Sequence, residues 1–226
     1  MKIYADVADI ATMRHIAHQV WGFTTNPTLM RQAGVSDYEG FARECVSLFP
    51  DHSLSFEVIA DDLETIRTQA RKITSWGSRV FCKIPVTLTD GTSTADLVSD
   101  LTAEGLHINV TAIFTAPQAE AFSAAIANKA ECYLSIFAGR IADAGFDPAF
   151  LIRQARMEAA ENISILWAST REVHNVRDAR HAGADIITLT PDLLTKYQLF
   201  GRDLDEFSLA TVKMFREDAL AAGLTL

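Results

Sequence analysis

The 226 residues are 49% hydrophobic and carry a formal charge of −9. That length and apolar content support one substantial core, and the negative charge argues against general nucleic-acid binding, which needs a basic surface. The chain does not open on a basic stretch followed by an apolar one, and no apolar run is long enough to span a bilayer, so a cytoplasmic protein with no membrane partner is expected.

In chain order, short apolar runs alternate with helical patterns. The candidate strands are KIYADV, GFTTN, LSFEVI, VFCKIPV, HINVTAIF, CYLSIFA, ISILWAS and DIITLT. Between them lie amphipathic stretches. DDLETIRTQARKITSWG opens on aspartate and sets Leu63, Ile66, Ala70 and Ile73 at helical spacing. Strand–helix alternation implies right-handed βαβ units and a parallel sheet. About eight such units in one domain, residues 1–226, predict an α/β fold of the closed (β/α)8 TIM-barrel kind. A doubly wound open sheet is the alternative, weakened because no G-x-G-x-x-G follows the first strand. The final stretch, DEFSLATVKMFREDALAAG, predicts an extra C-terminal helix whose Phe207, Val212, Phe215 and Leu220 need cover from the barrel or from a neighbouring subunit.

Strand side chains alternate between faces, and in a barrel one parity fills the interior while the other packs on helices. Asp6 opposes Ala5 and Val7. Glu57 opposes Phe56 and Val58, and Lys83 opposes Cys82 and Ile84. Asn109 and Thr111 oppose Ile108 and Val110; Ser135 and Phe137 oppose Leu134 and Ile136; Ser169 opposes Leu166 and Ala168. The polar parity is expected to point into the barrel near the carboxyl ends of the strands, where barrel active sites are built. An edge strand with a solvated face could also carry Lys and Glu, but parallel sheets are covered on both sides. In such a site burial disfavours the ammonium of Lys83 and leaves an amine that attacks carbonyls to form a Schiff base. Glu57 could hold and deprotonate a water, and Asp6 could accept a proton from a substrate hydroxyl. A purely structural Lys83–Glu57 or Lys83–Asp6 ion pair is the plainer alternative.

Cys45, Cys82 and Cys132 form no C-x-x-C and read as core residues. His15 and His18 lie at i, i+3 with no third ligand nearby, so no metal and no cofactor are expected.

The segments ADVAD, TTNP (Thr24 to Pro27), KIPVT (from Lys83), NVTAIF (from Asn109), SIFAGRIAD (from Ser135) and ASTR (ending at Arg171) occur in that order along the chain. On these motifs the sequence resembles the transaldolase family, specifically its short members that include fructose-6-phosphate aldolases. The resemblance implies a metal-free class I aldolase barrel acting on sugar phosphates; the apolar C-terminal helix makes a homo-oligomer the expected assembly. It implies Lys83 as nucleophile, Glu57 and Thr111 holding a proton-shuttling water, and Asp6 as acid–base at the C4 hydroxyl. Thr24, Asn26, Asn109, Ser135, Phe137 and Ser169 would surround the donor sugar, and Arg140 and Arg171 would bind phosphate through their guanidinium forks.

The short aldolases resembled here carry glutamine where this chain has Glu57 and tyrosine where it has Phe137. Both differences favour transfer of a dihydroxyacetone unit over its release, which makes transaldolase the expected activity and fructose-6-phosphate aldolase the alternative. A non-catalytic sugar-binding or scaffold barrel is the reading from another class. Thr170 replaces a usual aromatic beside the expected anion site, and TLTPDLL departs from the usual run, so a sulfonate is also compatible with that end of the substrate.

Overall fold

A computed structural model describes residues 1–225. Eight strands pair in sequence order, each parallel to the next, and the last closes on the first. They are β1 Lys2–Asp6, β2 Gly22–Thr24, β3 Ser53–Glu57, β4 Val80–Pro85, β5 Ile108–Ile113, β6 Cys132–Ile136, β7 Ile163–Trp167 and β8 Ile186–Leu189. Helices follow the strands, and the fold is the expected (β/α)8 TIM barrel.

The helices begin where short polar side chains can satisfy free backbone N–H groups. Asp62 accepts from the N–H of Thr65 ahead of helix Leu63–Thr74, and Asp147 accepts from Ala149 ahead of helix Pro148–Glu158. Thr115 and Gln118 form a reciprocal capping box on helix Ala116–Ile126. In Leu63–Thr74 the predicted stripe is buried at Ile66, Ala70 and Ile73, while Leu63 is exposed.

The helix-facing layer is as apolar as its parity suggests. Cys82, Ile84, Ile108, Val110, Leu134 and Ile136 are all fully buried. Each such aliphatic side chain contributes about 1.5–3 kcal/mol by leaving water. Cys45, Cys82 and Cys132 are buried free thiols, and burial pushes Cys45 and Cys132 up to about 12.

Inside, the lower part of the barrel is plugged by Tyr4, Phe81, Tyr133, Leu166 and Ile186. Phe81 stacks on Tyr133 at 3.9 Å between ring centres, and the Tyr133 hydroxyl meets those of Tyr4 at 3.0 Å and Ser53 at 3.1 Å. A side chain at Gly22 would lie 2.6 Å from the carbonyl oxygen of Ser53, so β2 approaches β3 only because that residue is glycine.

One inward face differs from expectation. Leu166 pairs in register with Ser135 and Ile186 and points inward with Ala168, so β7 turns its apolar residues, not its serine, toward the interior. Ser169 reaches the cavity because it has left the strand, with a φ of 63°.

The chain divides into two compact units, Met1–Leu194, which holds the barrel, and a second from Thr195 on. The second contains helix Leu204–Ala221, capped by Asp203, with no buried residue. Phe207, Leu209, Val212, Met214, Phe215 and Leu220 are exposed on it.

Candidate active site

A cavity of about 540 Å³ lies where the strands end, and all the predicted site residues except Asn109 line it. Register explains the grouping. Asp6 pairs with Thr24, Thr24 with Ser55, Glu57 with Lys83, and Lys83 with Asn109. Residues paired in register across parallel strands share a face of the sheet, so these side chains meet inside.

Lys83 is only 6% exposed. Its Nζ lies 3.0 Å from Glu57 Oε2 and donates to the carbonyl of Thr25 at 2.7 Å. The pairing compensates a buried ammonium and sets a carboxylate that can take its proton beside it. Glu57 is anchored from outside the barrel, where the Tyr38 hydroxyl donates to its backbone carbonyl at 2.6 Å.

Asp6 accepts from the Thr24 hydroxyl at 2.8 Å. Burial pushes its carboxyl above the ordinary aspartate value of 3.8. Lys83 and the Thr24 hydrogen bond oppose that rise, and Glu57 adds to it. A carboxyl moved toward neutrality is better matched to giving and taking protons at physiological pH.

Thr111 comes just before a break in register between Val110 and Ile113, where Ala112 has a φ of 61°. This bulge lets β5 present both Thr111 and Ala112 to the cavity. Thr111 Oγ1 is buried and has no hydrogen-bond partner among the described residues. An orphaned hydroxyl on a cavity wall is a ready donor and acceptor for a water or a substrate.

Asn109, by contrast, is fully buried one layer below. Its amide donates to Ser55 Oγ at 3.1 Å and its carbonyl accepts from Ser135 Oγ at 2.6 Å. That fixes the Ser135 proton away from the cavity and leaves the Ser135 lone pairs facing it. Asn26 Oδ1 caps helix Pro27–Gln32 through the N–H of Leu29 at 2.9 Å, which leaves its amide nitrogen for a ligand.

The two arginines share one rim but differ in state. Arg171 Nε and Nη2 donate to Asp143 Oδ2 at 2.9 and 2.6 Å, and this holds the Asp143 carboxyl below its ordinary range. Arg140 lies over the Phe137 ring, 5.6 Å from its centre, with Phe114 on that ring as well at 5.6 Å between centres. Gly139 brings the rim together: a Cβ there would sit 1.7 Å from the carbonyl oxygen of Ser169.

Several cavity residues lie outside the predicted set: Leu166, Ala168, Thr170, Thr188, Thr190 and Gln32. Thr188 and Thr190 share the parity of an otherwise apolar strand, DIITLT, and that pattern is the signal that would have found them. Among the described residues, no three His, Cys, Asp or Glu side chains gather as a metal-binding group.

The chain matches the family described as Transaldolase/Fructose-6-phosphate aldolase over residues 3–225. A probable transaldolase of Dehalococcoides mccartyi is 34% identical over 194 residues, covering 84% of this chain and 86% of that one. A probable transaldolase of Parvibaculum lavamentivorans is 35% identical over 201 residues, covering 86% and 87%. Among solved structures, a 3-hexulose-6-phosphate synthase superposes with a TM-score of 0.60 at 18% identity, covering 84% of this chain and 90% of that one. At that identity the likeness is one of fold alone.

Proposed function

The chain belongs to the transaldolase/fructose-6-phosphate aldolase family and is a transaldolase-like enzyme, and on that premise we propose a Schiff-base reaction that moves a dihydroxyacetone unit from a ketose phosphate to an aldose phosphate. The observation that carries this reading is a buried lysine on the cavity wall, 3.0 Å from one carboxylate and under the electrostatic influence of a second.

Lys83 must lose a proton before it can attack, and Glu57 Oε2 is placed to take it. Attack at the C2 carbonyl gives a carbinolamine. Glu57, through a water shared with Thr111, returns the proton that lets hydroxide leave as water. The protonated imine withdraws electrons from the C3–C4 bond. Asp6 takes the proton of the C4 hydroxyl, the bond breaks, and an aldose phosphate departs. The enamine left on Lys83 then attacks the aldehyde of a second aldose phosphate, Asp6 returns the proton to the new hydroxyl, and water adds to the re-formed imine by the reverse of the first steps, which frees the new ketose phosphate and Lys83. Asn26, Ser135 and Ser169 hold the donor hydroxyls, with Asn109 supporting Ser135 from below. Arg140 and Arg171 take the anionic end: both line the cavity, and their forked donors suit an anion.

Transfer is favoured over release because the wall beside the enamine is poor in proton donors. Phe137 has no hydroxyl, and its ring is occupied by Arg140 and Phe114. The test is the dihydroxyacetone formed from fructose 6-phosphate with and without erythrose 4-phosphate. Turnover that needs the acceptor is expected; rapid release without it would replace this reading by aldolase-type cleavage. We further assign the enzyme to the cytoplasm and to pentose phosphate interconversion, and to a homo-oligomer joined through helix Leu204–Ala221, whose apolar side chains are exposed.

A further inference from the structure

We propose that Thr188, on β8, is a positioning residue for Asp6: its hydroxyl donates to that of Thr24 and so strengthens the Thr24 bond that occupies Asp6 Oδ1 and leaves Oδ2 for the substrate. The inference rests on the reading of Asp6 as the acid–base group.

β1 has two neighbours in the barrel, β2 and β8. Each sends one threonine to the same place. Thr24 Oγ1 is 2.8 Å from Asp6 Oδ1 and 2.7 Å from Thr188 Oγ1. A hydroxyl owns one proton. An ionised Asp6 can only accept, so the Thr24 proton is committed to it. The bond between the two threonines must then be donated by Thr188. The order is Thr188 to Thr24 to Asp6 Oδ1, and it leaves Asp6 Oδ2 as the oxygen that can receive a proton without disturbing the chain. A proton arriving at Oδ1 would compete with the Thr24 hydroxyl for that oxygen.

The strand carrying Thr188 is itself held. The buried Thr170 hydroxyl donates to the Thr188 carbonyl at 2.8 Å. Thr170 is the residue that stands where the family resemblance leads one to expect an aromatic, so this chain uses the position to hold β8. Thr188 also lines the cavity, and its lone pairs remain open to a substrate hydroxyl.

The charged groups acting on Asp6 are Lys83 from β4 and Glu57 from β3. Neither touches Thr188 through a hydrogen bond, so removing its hydroxyl changes the chain and leaves the ion pair in place. Hydrogen bonds in series strengthen one another by roughly 10–30%, and a bond to a charged group is the strong kind. Losing the first donor therefore weakens the bond that holds Asp6 ionised.

The test is the pH dependence of kcat/KM in Thr188→Val and Thr188→Ser, with borohydride trapping on Lys83 measured in parallel. The valine enzyme should show its acid limb moved to higher pH by a few tenths of a unit, on the order set by that cooperativity. Trapping should persist, and the serine enzyme should keep the native profile. Should the valine variant fail to fold, Thr188→Ala removes the same hydroxyl and is expected to shift the limb equally. An unmoved limb in a folded variant without the hydroxyl overturns the proposal. Asp6→Asn separates the two claims: native activity there would remove Asp6 from the chemistry and the present inference with it, whereas a lost reaction in Asp6→Asn with an unmoved limb in Thr188→Val would overturn only the role of Thr188.

Discussion

Replacing Gly139 by alanine should both destabilise the barrel and damage the anion end of the site. The added Cβ would lie 1.7 Å from Ser169 O, 2.8 Å from Ser169 C and 3.0 Å from Arg171 Cγ. Ordinary carbon contacts are about 3.5–4.0 Å, so the backbone after β7 or the helix starting at Ala138 must give way by well over an ångström. Backbone atoms cannot swing aside as a side-chain tip can. Overpacking of this kind costs about 1–3 kcal/mol, sometimes more. For a domain of this size each kcal/mol moves Tm by about 2–4 °C, so a fall of roughly 2–12 °C is expected in a circular dichroism melt. The displaced segment carries Ser169 and Arg171, and misplacing binding groups by about 1 Å can cost on the order of a hundredfold in rate. kcat/KM for a phosphorylated ketose should therefore fall much further than stability alone would require. A variant with Tm within a degree of the native value and unchanged kcat/KM would refute the claim that this close approach builds the rim.

Arg171→Ala should raise KM for phosphorylated substrates by roughly ten- to hundredfold, the worth of one charge-assisted hydrogen bond, with little effect on unphosphorylated donors; equal effects on both would place Arg171 outside the anion site. Because 45% of the Arg171 side chain is exposed, its pair with Asp143 adds little to stability, and Tm should barely move. Asp6→Asn should abolish turnover yet raise Tm at neutral pH. The folded Asp6 carboxyl titrates above its unfolded value of 3.8, so it favours the folded state below that value and loses this contribution as pH rises through the folded pKa. The stability gain of the asparagine variant should hence be present at pH 7.5 and vanish near pH 3.5 when melts are compared.

The barrel was readable because a parallel sheet buried on both sides gives every strand an apolar run, and because side-chain parity is a property of the backbone. The same parity brings Lys83, Glu57 and Asp6 to one cavity. Parity gives the face of a residue, not its height. Asn109 has the right face but sits a layer too low to line the cavity, because height along the axis depends on the stagger between strands. In β7 the pattern misled: Leu166 and Ala168 are the inward residues, and Ser169 arrives through a left-handed backbone that few side chains adopt. Asp143 was visible in SIFAGRIAD, but its hold on Arg171 depends on the helix Ala138–Asp143 meeting the loop after β7 at Gly139, which no local pattern encodes.

The most direct test of the central claim is reduction of the enzyme with borohydride in the presence of fructose 6-phosphate, followed by mass mapping of the modified peptide. Among the lysines of the described residues, Lys83 alone lines the cavity. A single reduced adduct on the peptide carrying Lys83 is expected, and none in a folded Lys83→Ala enzyme. An adduct on another lysine, or turnover with no trappable adduct at all, would contradict the account.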